Sequence, residues 1–341
     1  MGRNHEVTKE QPLLNAEGNI NEPGWARKQV WRYNRNAIKA PAFRIKEWDY
    51  YLVMGQGFAA AFTVSDDGYI GLQSVSFLQW GNMNRQDTRS QINGFPMGSM
   101  KLPKDSSEGI TCFKDKDLRI RFDALSGERR IRCVYNDFAD GKPLKCDIRL
   151  AQPEMDSMVI ATPWDKAGHF YYNQKINTMR AYGYVIFGDK RFVLDPRTDF
   201  GTLDWGRGVW TYDNTWYWGS GNADIDGHSF GFNIGYGFGN TKAASENALF
   251  YDGKVHKLDD VEFHIPEDSY MKPWEFTSSD GRFEADFTPV MDREANMDFK
   301  VIISDQHQVF GRINGKAVLD DGTVIEMKDM MCFAEKVHNK Y

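Results

Sequence analysis

The chain has 341 residues and a net charge of −6 without any basic tract, which makes nucleic acid an unexpected partner. No run approaches the roughly 20 apolar residues that span a bilayer, and the N-terminal stretch MGRNHEVTKEQPLLNAEGN has no apolar signal segment. Cys112, Cys133, Cys146 and Cys332 lack CxxC spacing, which argues against a zinc ribbon and for free thiols in a cytoplasmic protein.

Residues 1 to about 40 read as a polar lead that wraps an outer surface. Short strand-like runs follow, among them Trp48–Val53, Ala59–Val64, Ile70–Leu78, Leu118–Leu125 and Arg130–Asn136. Asp66-Asp67-Gly68, Ser126-Gly127 and Ala139-Asp140-Gly141 are the turns between them. Arg119, Arg121, Arg129, Arg130 and Arg132 fall in these runs and read as solvated strand faces. The segment from Trp80 to Lys104, rich in Asn, Gly, Ser and Pro, reads as a long connection. A second series comprises Phe170–Asn177, Ala181–Phe187 and Lys190–Leu194. After residue 240 come Ala248–Tyr251, Val255–Ile265, Trp274–Phe276, Arg282–Phe287, Phe299–Ser304, Gln308–Ile313 and Gly322–Phe333. No three-turn helix is visible, and Thr241–Asn247 could form one helical turn at most. Strands every 8 to 12 residues, with 14% aromatic residues, predict an all-β protein of sandwiches or up-and-down barrels. Asp195-Pro196 breaks the pattern, dividing the chain into 1–195 and 196–341, each a meander and each an expected antiparallel β-barrel.

Residues 200–240 concentrate four of the ten tryptophans and ten of the 31 glycines, a mixture that excludes helix. From Ser229 to Asn240 the even positions Phe230, Phe232, Ile234, Tyr236 and Phe238 are large and apolar. The odd positions are Ser229, Asn233 and glycines. One strand face is therefore a wall of rings and the other nearly bare backbone, which implies close approach by something bulky: the Trp cluster or a ligand. In Asp204-Trp205-Gly206-Arg207-Gly208-Val209-Trp210, Asp204 shares a face with Trp210, and the glycines leave space beside it. A carboxyl among indoles is desolvated, which raises its pKa and makes Asp204 the general-acid candidate. A direct cationic partner would oppose that role. Glu246, beside Asn247 at a strand-end turn, is the second catalytic candidate, although capping would also explain the pair. Arg207 either stacks on Trp rings and clamps a ligand or pairs with a carboxylate to close a barrel end. Tyr171, Asn173, Lys175 and Asn177 share a strand face, and an inward Lys175 would be functional where an outward one is ordinary. Glu47 and Asp49, beside Trp48, are either further site carboxylates or exposed strand residues. Arg207, Trp210, Trp216, Trp218, Asn233, Asn247, Lys175, Tyr171 and Glu47 make up the expected small-molecule binding set. The seven dispersed histidines provide no metal site, and Gly235–Gly239 follows strand periodicity, so neither a metal nor a nucleotide cofactor is expected.

The runs KEWDYY, LDWGRGVWTYDNTWYWGSG, GFNIGYGFG and ENALFYDGKVHKL resemble the bacterial DUF2804 family from about residue 20 to the C-terminus. That family is distantly similar to carotenoid 1,2-hydratase and AttH-like proteins. The resemblance implies two tandem lipocalin-like (calycin) barrels. It also implies alkene protonation by Trp, Tyr and Asp groups near the barrel junction, with Asp204, Trp216 and Trp218 as the loose counterpart here. Three readings follow: a hydratase-like enzyme acting on a small amphipathic or isoprenoid-like ligand, a glycoside-cleaving enzyme, and a non-catalytic lipophilic binder. A fully closed core of rings and glycines would leave only a scaffold.

Overall fold

The computed structural model describes residues 3–81, 84–298 and 303–340. The N-terminal lead contributes β1 (Gln11–Pro12), β2 (Gly24–Ala26) and β3 (Trp31–Arg32), with 3-10 turns at Arg35–Ala37 and Ala42–Arg44. The first large sheet contains β4 (Ile45–Gly55), β5 (Phe58–Asp66), β6 (Ile70–Gln79), β7 (Arg85–Gly94), β8 (Gly109–Lys114), β9 (Leu118–Leu125) and β10 (Glu128–Ala139). It continues with β11 (Lys142–Ala151), β12 (Met158–Pro163), β13 (Phe170–Phe187), β14 (Lys190–Leu194) and β15 (Phe200–Val209). Its order is β7-β6-β5-β4-β15-β13-β11-β10-β9-β8, with β12 and β14 also on β13, and β2 on β12. The second sheet contains β16 (Asp213–Ile225), β17 (His228–Tyr236), β18 (Ala248–Tyr251), β19 (Lys254–Lys257), β20 (Val261–His264), β21 (Trp274–Ser278), β22 (Phe283–Asp298), β23 (Ile303–Val318) and β24 (Val324–Lys340). Its order is β19-β18-β17-β16-β24-β23-β22-β21-β20.

The large-sheet pairings are antiparallel, and both sheets curl into lipocalin-like half-barrels. Ion pairs Arg85–Asp140 (2.7 Å) and Arg89–Asp137 (2.8 Å) tie β7 to the far side of the first sheet. In the second, the Phe263 amide donates to the Tyr236 hydroxyl at 3.4 Å, joining β20 to β17. Three apolar cores result. One fills the first curl around Phe62, Phe77, Tyr172 and Trp205, and a second fills the other curl around Phe232, Trp274 and Phe276. The third lies between the sheets and includes Tyr50, Tyr171, Trp210, Trp218 and Phe333.

Several expectations change. The connection at Trp80–Lys104 contains β7, RQDTRSQING, a polar edge strand that among the described residues pairs only with β6, so it has no apolar face to betray it. Phe170–Asn177 and Ala181–Phe187 form one 18-residue strand, β13, with a register shift between Ile176 and Met179. Thr241–Asn247 is irregular rather than helical. The lead is not merely superficial: Val7, Leu13, Trp31 and Tyr33 enter the first core, and the His5 amide reaches the Ala243 carbonyl at 2.8 Å. The passage between sheets falls between Val209 and Asp213, because β15 is hydrogen-bonded between β4 and β13. Arg129 is buried, donating to the Tyr51 hydroxyl at 3.1 Å, whereas Arg121 and Arg132 both pair with Asp123. Of the expected strand Phe299–Ser304, residues 299–302 lie outside the described residues. Among the described residues no helix is long and apolar enough to cross a membrane.

Candidate functional site

Strand register assembles the site. Lys175 on β13 pairs with Asp204 on β15, and Asp204 with Tyr50 on β4. In the adjoining row Asn173, Gly206 and Trp48 are partners across the same three strands. Alternation puts all of these on the face turned toward the second sheet. That sheet presents its own row, Trp218–Glu335–Gln308–Arg293, across β16, β24, β23 and β22. Between the two faces lies a cavity of about 440 Å³, lined on the aromatic side by Trp48, Trp210, Trp216, Trp218, Tyr171 and Phe238.

Glycine placement builds the aromatic wall. A Cβ on Gly206 would meet Trp48 Cζ2 at 2.0 Å, so the bare position is what lets the indole lie across β15. From there Trp48 Nε1 donates to Asp204 Oδ2 at 3.0 Å. Gly208 leaves room for Trp210, whose Nε1 would lie 3.1 Å from a Cβ there. Trp210 meets Trp48 and Trp216 edge to face, at centroid distances of 5.6 and 5.1 Å. Phe238 leaves the second core because β17 ends at Tyr236 and Gly237 takes φ +95°. It stacks on Tyr171 at 5.0 Å.

The expected desolvated acid at Asp204 meets a cation instead. Lys175 Nζ lies 2.8 Å from Asp204 Oδ1, and Asn173 Nδ2 donates to the same oxygen at 2.6 Å. Three donors on two oxygens suit an acceptor-only carboxylate. Lys175 is inward and fully buried, its ammonium 3.9 Å from the Trp218 ring centroid, a cation–π contact that compensates part of its desolvation. Across the cavity Glu335 accepts from Trp216 Nε1 at 3.1 Å and Gln308 Nε2 at 2.8 Å. Burial nevertheless pushes its carboxyl above the usual range, against those donors and the nearby Arg293 and Lys175 charges. Burial also raises Glu246, to about 7; Lys175 opposes the shift and Asp204 adds to it. Glu246 does not line the cavity. It lies behind Tyr171, whose hydroxyl donates to Oε2 at 3.1 Å, while Oε1 has no partner among the described residues.

Asp204, Lys175, Tyr171, Trp210, Trp216 and Trp218 thus share one cavity. Asn233 stands behind it, accepting from Trp218 Nε1 at 2.7 Å and fixing that indole. Asn247 holds β17 by accepting from the Gly235 amide at 2.6 Å and donating to the Asp259 carbonyl. Arg207 and Glu47 lie on the opposite strand face. The Arg207 guanidinium sits over Trp205 and bonds the Trp48, Gly206 and Pro103 carbonyls and Asp49, so it clamps the first curl and does not reach the cavity. Glu47 and Asp49 are buried, not exposed; Glu47 accepts from Tyr33 and Arg35. The bare face of β17 opens onto no hollow: Cβ atoms there would strike Thr178 from Gly231, Glu246 from Gly235 and Trp216 from Gly237. Sequence reasoning missed Glu335, Gln308 and Arg293. On long alternating strands they look like solvent-facing polar residues, and only the opposing sheet buries them.

The DUF2804 model, a domain of unknown function, matches residues 4–341. No curated protein matches the sequence. Among solved structures, a putative AttH from Nitrosomonas europaea is 12% identical with a TM-score of 0.50, covering 90% of this chain and 97% of its own. Kievitone hydratase from Nectria haematococca is 11% identical with a TM-score of 0.50, covering 97% and 98%. These likenesses agree with the tandem lipocalin-like architecture. With the family model spanning nearly its whole length, the chain belongs to the DUF2804 family.

Proposed function

We propose that the protein is a hydratase-like enzyme that adds water to, or removes it from, a small amphipathic ligand held between the two sheets. The observation that carries this reading is the pairing, in one aromatic-lined cavity, of a lysine-bound carboxylate with a second carboxyl whose pKa burial raises. Hydration of an alkene needs both. The Glu335 carboxyl gives its proton to one alkene carbon, the π pair forming the new C–H bond. Positive charge left on the other carbon is stabilised by the surrounding indole faces. Water oxygen then forms the C–O bond and passes a proton to Asp204, which Lys175, Asn173 and Trp48 hold in place. Solvent exchange returns the proton to Glu335. One solved structure with this fold is kievitone hydratase, which supports the reaction class.

The test is a screen of amphipathic alkenes and their hydrates in D2O, followed by mass spectrometry. The wild-type protein adds the elements of D2O to at least one alkene. Asp204→Asn and Glu335→Gln each lose that turnover by about 100-fold or more, the scale of a lost general acid or base, while still binding the alkene. Binding without turnover by the wild type would leave a ligand carrier in place of an enzyme.

A further inference from the structure

The ion-pair row continues far beyond the catalytic groups. Tyr50 pairs with Thr63, Thr63 with Ser74, and Ser74 with Ser90. Lys175, Asp204, Tyr50, Thr63, Ser74 and Ser90 therefore form one cross-strand row over six adjacent strands. At roughly 4.8 Å per strand it runs about 24 Å. All six line the cavity; Lys175, Asp204, Tyr50 and Ser74 are buried, Thr63 is partly buried, and Ser90 at the sheet edge is exposed. Beyond the ion pair every group in the row is a neutral hydroxyl. The opposing wall there mixes the neutral Ser304, Gln306 and Asn339 with Arg293 and Glu294. The Tyr50 hydroxyl is buried within reach of the Arg293 and Gln308 side chains, which places polar groups from both sheets at the inner end of the hydroxyl row.

Resting on the function proposed above, we propose that the hydroxyl row is a second subsite, which takes a neutral polyhydroxylated tail, such as a glycosyl group, joined to the flat apolar portion held by the indoles. Hydroxyl side chains both donate and accept, as a sugar does, and a row of neutral groups has no charge of its own to offer a phosphate or carboxylate tail. The tail enters at the β7 edge, so the reacting bond lies at the buried end beside Asp204.

Three probes test this by quenching of tryptophan fluorescence: 4-nitroanisole, 4-nitrophenyl β-glucoside and 4-nitrophenyl β-glucuronide. The wild type binds the glucoside about ten-fold tighter than the anisole, the gain expected of one to two net hydrogen bonds. Thr63→Val with Ser74→Ala lowers that preference to about two-fold or less and leaves anisole binding unchanged, which also shows that the variant folds. Ser90→Ala, at the exposed end, lowers it in the same direction by a smaller factor. Equal binding of glucoside and anisole, tighter binding of the glucuronide, or a preference that survives the double substitution would overturn the subsite alone. Failure of all three probes to quench the wild type would overturn the cavity reading as well.

Discussion

Gly206 decides where the Trp48 indole lies, and with it one of the three donors to Asp204. Gly206→Ala forces the ring off β15. We expect a stability loss of about 1–3 kcal/mol in chemical denaturation, the usual cost of overpacking, together with weakened cavity binding. A variant as stable as the wild type would show that the indole is free to move. Glu246 gives a pH signature. Its carboxyl sits at about 7 when folded against an ordinary value of 4.5, so the folded chain holds that proton more tightly. Its contribution to stability is complete below about pH 4.5 and is lost as the pH rises through 7, a change of about 3 kcal/mol. Lys257, lowered to about 7 by burial, stays charged through most of that window. Glu246→Gln should therefore flatten the fall in melting temperature between pH 5 and 7; an unaltered pH slope would contradict the buried acid. At this scale the sequence showed the Asp204 face and the Trp cluster, and left Lys175 open between an inward and an outward position. It could not show that Lys175 and Asp204 are cross-strand partners, because register between strands 29 residues apart leaves no local trace.

The element that joins the halves is β13. Its first half runs between β12 and β15 and its second between β11 and β14, and at the register shift the chain bulges toward the second sheet. There Thr178 takes φ +58°, a left-handed conformation unfavourable for a β-branched residue, and Asn222 Oδ1 accepts from its amide at 2.8 Å. Asn177 Nδ2 lies within 2.8–3.1 Å of Ser220 Oγ, Asn222 Oδ1 and the Phe232 carbonyl. Asn177→Ala removes this link and leaves buried acceptors unpaired, at an expected cost of about 2–3 kcal/mol, measured by denaturant unfolding. A loss under half a kilocalorie would mean that the Asn177 side chain adds little to holding the sheets together. The aromatic and turn-bounded strands were legible from alternation and Gly-containing turns. The polar strand β7 was not, since an edge strand with one partner needs no apolar side. The close approach implied by the bare face of β17 was legible, but its occupants, Thr178 and Glu246, come from 53 residues upstream of Gly231 and 11 downstream of Gly235.

For the whole molecule, the two curled sheets make three interiors, and the proposed chemistry belongs to the one between them. The lumen of the first curl is occupied by Trp205, Arg207 and their partners, and that of the second by Phe232, Phe276 and Trp274. Strands β4, β13 and β15 bury both faces, one in the first lumen and one against the second sheet. That is why alternation alone cannot say which face carries the site, and why Arg207 and Glu47 shared the expectation with Asp204. The all-β tandem architecture was visible in strand spacing and in the family motifs; the location of the cavity required the packing. The most direct measurement is a crystal structure of the protein soaked with a probe that quenches its tryptophans. The account predicts ligand density between Trp48, Trp210, Trp216 and Trp218, against Asp204 and Glu335. Density inside the first curl, beside Arg207 and Glu47, would contradict it.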